Sequence, residues 1–309
     1  MDLAPTRLHH SVVIMFLLAI AVCMSSSCAT RLDFDYSAAD EQALLNRVLP
    51  NNQQLNSDAP VLVLSEGLRN QIDERIVAKW SSRQKIRELR KFFFHEDELN
   101  IQYNADYTKT AMETFETKSG NCLAMTNLFI AAARHAGIDA HFQTVSVKPT
   151  WDYQQNTMIR YEHVVATGRA SHGEEYVVDF LPDMSLADRT SETISDQRAL
   201  ALYYNNRGAE YLVDGKSEEA IHNLQRALYL NGEFSDAWNN LGAAYRRAGE
   251  FELAEFSYRK AVSLNTYNLS ALSNLARFYE YNNQPEKAQP FVERVRKYES
   301  TNPYYLFSV

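Results

Sequence analysis

The feature that most constrains this 309-residue chain is a pattern near its C-terminal end that returns every 34 residues. Tyr204, Gly208, Tyr211, Ala220, Leu224 and Ala227 are followed one period later by Trp238, Gly242, Tyr245, Ala254, Tyr258 and Ala261. A third set, Leu272, Ala276, Tyr279, Ala288, Val292 and Val295, keeps every offset without a gap. Such a period marks a supersecondary unit that cannot bury its apolar face alone, so neighbouring copies must stack. The small residues at the second and fourth positions of each set let the two helices of a unit approach closely. The large residues fill the space between units. With only 10 Gly and 8 Pro, the composition suits helices better than turn-rich β structure.

The repeat resembles the tetratricopeptide repeat, and the segment from Trp238 through Asn239, Asn240, Leu241 and Gly242 to Tyr245 is its nearest copy. Tyr204 and Leu272 stand where that pattern has Trp. The resemblance implies an all-α solenoid with a groove for a peptide or partner protein, and Asn205, Asn239 and Asn240 are candidate contacts in it. Three repeats are about the minimum for stability, so the array is expected to lean on the residues before it.

At the other end, Arg7 precedes an apolar run from Val12 to Met24. That run is short for a bilayer span and suits the apolar segment of a signal peptide. Ser25, Ser26, Ser27 and Cys28 follow. The arrangement resembles a bacterial lipoprotein signal, although Ser25 stands where that pattern usually has Leu; ordinary signal cleavage nearby is the alternative. The resemblance implies lipidation of Cys28 and a membrane anchor facing the periplasm. Ala29 is not the Asp that typically retains such lipoproteins at the inner membrane, which favours the outer one.

The chain has 3 Cys, too few for a disulfide scaffold or a Cys-rich zinc site. Cleavage before Cys28 would discard Cys23, and lipid would occupy Cys28. Cys122 would then be the one free thiol of an exported protein, a liability unless it has a use. A net charge of −8 excludes a general nucleic-acid binder. No His-x3-His, Cys-x2-Cys or phosphate-cradling glycine loop occurs, so neither metal nor cofactor is expected.

Between the two ends the periodicity changes twice. A helical stretch from Ala38 to Val48 ends at Pro50 within an otherwise polar tether. Leu68, Ile72 and Ile76, then Ile86, Leu89 and Phe93, recur at helical spacing. A further helix is expected over 104–116. Asn121 is a natural N-cap for the apolar helix from Leu123 to Ala136, which Gly137 stops, so Cys122 falls in its first turn. Alternation from Ala140 to Val147 reads as a strand. The polar excursion Pro149 to Thr157 separates it from strands over Met158–Thr167 and Glu175–Phe180, which are joined by a turn. A polar stretch without strand signal then leads to the repeats.

Gly120-Asn121-Cys122, the Gly137-Ile138-Asp139-Ala140 turn, His163 in Tyr-Glu-His-Val-Val and Asp179 in Tyr-Val-Val-Asp-Phe together resemble the transglutaminase-like superfamily. The resemblance implies an α+β papain-like transglutaminase core with an antiparallel sheet, and a catalytic set of Cys122, His163 and Asp179. These residue types suit the chemistry. A helix N-terminus and a nearby imidazolium lower a thiol's pKa from its usual value of about 8.5. His163 would take the thiol proton, and Asp179 would hold the ring. His135 lies too far along the helix from Cys122, His141 is a weaker candidate for the role of base and His172 sits in a turn.

The expected organisation is a signal over 1–27, a tether over 28–60, the transglutaminase-like domain over 61–185, a linker over 186–196, repeats over 197–300 and a tail over 301–309. The expected function is acyl transfer through a thioester on Cys122 in a cysteine peptidase or amidase. An amine-accepting cross-linker and a non-catalytic envelope scaffold are the alternatives.

Overall fold

Capping residues set where the N-terminal helices begin. In the computed structural model, which describes residues 36–50, 60–145, 151–154, 157–160, 163–170, 173–180 and 191–301, α1 spans Ala38–Val48, α2 Glu66–Arg75 and α3 Ser82–Phe94. Ser65 caps α2, and Ser81 with Gln84 forms a reciprocal capping box on α3. Strand β1 (Gln102–Tyr103), α4 (Ala111–Thr117) and β2 (Ser119–Gly120) precede α5 (Cys122–His135). The signal segment, Cys28 and His172 lie outside the described residues.

Every residue of α5 from Leu123 to Ala133 is buried. A helix apolar all round must be covered all round. α2, α3 and α4 pack against it, as do two strands of the main sheet. That sheet is antiparallel, in the order β7 (Glu175–Val178), β6 (His163–Arg169), β3 (His141–Val145), β8 (Ser191–Ile194). A separate hairpin, β4 (Trp151–Gln154) with β5 (Thr157–Arg160), lies between β3 and β6 in the chain.

Four details differ from the sequence reading. The helix expected over 104–116 begins only at Ala111, because Thr110 caps it with Glu113 and Asn104 accepts from Asp106 N–H in a turn. The polar excursion contains β4, and the strand expected over Met158–Thr167 is divided between β5 and β6. The expected linker contains β8, whose Ile194 is its one buried residue, so the strand lacks an apolar alternation. Ser195 then caps the next helix directly. The expected tether is docked over α1: Leu44 and Val48 are buried, and Val48 C=O accepts from Gln225 Nε2 at 2.7 Å.

The repeats form helix pairs α6 (Asp196–Val213) with α7 (Ser217–Leu230), α8 (Ser235–Ala248) with α9 (Phe251–Leu264), and α10 (Leu269–Tyr281) with α11 (Pro285–Thr301). The periodic small residues sit where the helices press together. A Cβ on Gly208 would come within 2.5 Å of Leu224, and one on Gly242 within 2.6 Å of the Tyr258 ring. Tyr204, Trp238 and Leu272 are all buried. α1 packs on α9, with Lys260 Nζ 3.0 Å from Glu41. The described residues from Ala38 onward form one compact unit, with the sheet region and the repeats in contact.

Candidate active site

The start of α5 is fixed locally. Asn121 Oδ1 accepts from Ala124 N–H at 3.0 Å, so helical geometry begins at Cys122. The residue before the cap has to be glycine. β1 pairs with β2 in parallel, Tyr103 opposite Gly120, and a Cβ on Gly120 would lie 2.8 Å from Ala124 Cβ and 3.1 Å from Thr114 Cγ2. The Gly-x-Cys spacing is therefore a packing requirement of the turn that presents the thiol.

His163 opens β6, and Asp179 follows the last residue of β7. The pairing Ala166↔Val178, continued outward, sets Asp179 diagonal to His163 on one face of the sheet. His163 Nε2 lies 3.0 and 3.1 Å from the two carboxylate oxygens of Asp179. The imidazole is almost fully enclosed, with 3% of its side chain exposed. Its other nitrogen, Nδ1, is buried without a hydrogen-bond partner. A carboxylate at Nε2 selects the tautomer that carries its proton there, which leaves Nδ1 as the basic atom.

The thiol is not depressed as the sequence led us to expect. Burial first, and the Asp179 carboxylate second, push Cys122 up to about 11. A hydrogen bond from the Tyr103 hydroxyl pulls the other way. The helix terminus does not outweigh partial burial beside a carboxylate. A lone thiolate here would be a second negative charge beside Asp179.

Tyr103 is the contact that sequence reasoning missed. Burial, then the Cys122 thiol, raise its hydroxyl to about 12, so it is a donor throughout the neutral range. The two-residue strand that carries it has no apolar alternation to announce it. The two histidines nearest Cys122 in sequence are engaged elsewhere. His135 Nε2 lies 2.9 Å from Asp73, and His141 Nε2 lies 2.7 Å from Asp139. No grouping of three or more His, Cys, Asp or Glu side chains suited to a metal ion occurs among the described residues.

The asparagines proposed for the repeat groove are committed to one another. Asn240 Nδ2 donates to Asn205 Oδ1 at 3.0 Å, and Asn274 Nδ2 donates to Asn239 Oδ1 at 2.9 Å. Asn205, Asn239 and Asn240 are 4%, 1% and 2% exposed, so they stitch successive repeats together rather than face a partner. β5 packs against α8 and α10, which carry three of these four amides.

Residues 70–177 match the transglutaminase-like superfamily, and residues 235–268 match the tetratricopeptide repeat. The chain thus carries a transglutaminase-like domain, of catalytic type, followed by a protein-interaction repeat. Cys122 and His163 fall inside the first match, and Asp179 lies just beyond it. No curated protein matches the chain.

Proposed function

We propose that the transglutaminase-like domain is a cysteine hydrolase, a peptidase or amidase, acting through a thioester on Cys122. The observation that carries this reading is the His163 ring. It is fixed at Nε2 by Asp179, while a buried, unsatisfied Nδ1 remains on the other side. A buried nitrogen without a partner costs free energy, and a role as base accounts for it.

In the proposed cycle, His163 Nδ1 takes the Cys122 proton as the sulfur attacks an amide carbonyl. The Tyr103 hydroxyl, already a donor at the sulfur, and the first backbone N–H groups of α5 stabilise the oxyanion. The C–N bond breaks, the imidazolium proton leaves with the amine, and the acyl group stays on sulfur. Water, deprotonated by Nδ1, then releases the acid and restores the thiol. An amine in place of water gives cross-linking by the same steps. The repeats recruit the peptide or protein substrate.

In this reading the chain is exported and lipidated at Cys28, and it acts at the cell envelope on the periplasmic side, at the outer membrane. The test supplies a labelled primary amine and envelope proteins to the purified chain, with Cys122→Ser as control. Cys122-dependent appearance of new amino termini or free ammonia, without label incorporation, is the expected result. Label incorporation would replace hydrolysis by transamidation. Neither product would leave a non-catalytic scaffold.

A further inference from the structure

The repeats reach the cap of the catalytic helix through a buried carboxylate. Glu210, on α6 of the first repeat, is 7% exposed. Its Oε1 accepts from Thr108 N–H at 2.6 Å, and its Oε2 accepts from Arg207 Nη1 at 2.9 Å. Thr108 is 1% exposed, and its Oγ1 accepts from Asn121 Nδ2 at 2.7 Å. The other end of that carboxamide, Oδ1, caps α5 at the residue before Cys122. The same loop starts at Tyr103, which bonds the thiol, and is tied to the repeats a second time through Tyr107 Oη and Asp214, the residue after α6, at 3.3 Å.

A buried carboxylate 88 residues downstream of Cys122 has no obvious reason to sit here for the repeats alone. One of its oxygens serves a loop of the other domain. Its loss would strand a buried backbone N–H at Thr108, a costly state that the loop would leave by moving. Asn121 would move with it, because its Nδ2 and Oδ1 belong to one rigid amide. We propose that Glu210 is a positioning residue for Cys122, acting through Thr108 and Asn121 on the cap of the catalytic helix. The first repeat is then part of the catalytic apparatus as well as a recruiting surface. This rests on the reading of Cys122 as the nucleophile.

The test is the rate of Cys122 alkylation by iodoacetamide at pH 7.5 in the full chain, with His163→Gln as reference. Glu210→Ala should slow labelling by about fivefold, the scale of one N-cap. Glu210→Gln keeps an acceptor for Thr108 N–H and should restore the rate to within about twofold. Thr108→Val exchanges the hydroxyl for a methyl at the far end of the same link, and should match Glu210→Ala. The double variant should be no slower than the slower single one, because both break one chain of contacts.

Should Glu210→Ala fail to fold, Glu210→Gln and Thr108→Val still read the two ends of the link separately. An unchanged rate in Thr108→Val, or multiplicative losses in the double variant, would overturn the inference. A wild-type rate that ignores His163→Gln would instead sink the nucleophile reading, and this inference with it.

Discussion

His163→Gln separates an activated thiol from a merely buried one. The amide can still donate to Asp179, so the ring's place is kept while the base is lost. Cys122 would then titrate alone at about 11. At pH 7.5 a thiol of that pKa is ionised to about 3 parts in 10,000, against about one-tenth for a free cysteine near 8.5. Higher intrinsic nucleophilicity of the more basic thiolate, with a Brønsted slope near 0.45, returns roughly tenfold. The variant should therefore alkylate about 20- to 40-fold more slowly than free cysteine. The wild type, whose proton can pass to Nδ1, should label faster than the variant by about a hundredfold, with a rate that levels off below pH 8. The assay is second-order labelling with iodoacetamide from pH 5.5 to 10, with peptide mapping to Cys122. A wild-type profile that climbs without a plateau toward pH 11, and is indifferent to His163, would refute the reasoning and make Cys122 a structural thiol.

Other expectations are of known sign. Tyr103→Phe removes the hydroxyl donor at the sulfur and should lower kcat by about a hundredfold with little change in KM, the usual cost of one oxyanion donor; an unchanged kcat would remove Tyr103 from the chemistry. Gly242→Ala forces a methyl to 2.6 Å from Tyr258 and should destabilise by about 1–3 kcal/mol, read as a lowered Tm; an unshifted melt would contradict the close packing. Burial pushes Glu210 up to about 7 against the attractions of Thr108 and Arg207, with Tyr203 and Tyr107 also facing it. The folded chain thus holds this proton more tightly than the unfolded chain. The resulting stability is fully present below the unfolded pKa of about 4.5 and is lost as pH rises through 7, by up to about 3 kcal/mol. Glu210→Gln should flatten that part of the stability curve in urea melts at pH 4.5 and 7.5, and an identical slope in both proteins would count against it.

Much of the site was legible because its signals are local. Asn121 before an apolar run announces a helix start, and Cys122 inherits its place from that cap. The spacing from His163 to Asp179 spans one tight hairpin, so register alone brings the two side chains together. Gly208 and Gly242 could be read as close approaches because the repeat shows them in phase. Tyr103 and β8 were not legible. Each is a short polar segment held by pairing with residues distant in sequence, and neither carries an apolar period of its own.

By itself, the sequence determined the order of parts: a helix that begins at Cys122, strands that carry His163 and lead into Asp179, and paired helices that repeat in phase. These follow from capping, alternation and periodicity, which act over a few residues to one repeat. Only the tertiary structure decided the rest. Burial beside Asp179 raises the Cys122 thiol where the helix terminus alone would lower it. Across repeats Asn240 bonds to Asn205, and Asn274 bonds to Asn239. Glu210 reaches Asn121 through Thr108. Each outcome depends on desolvation and on partners brought together from distant parts of the chain, and neither is written in any local pattern of residues.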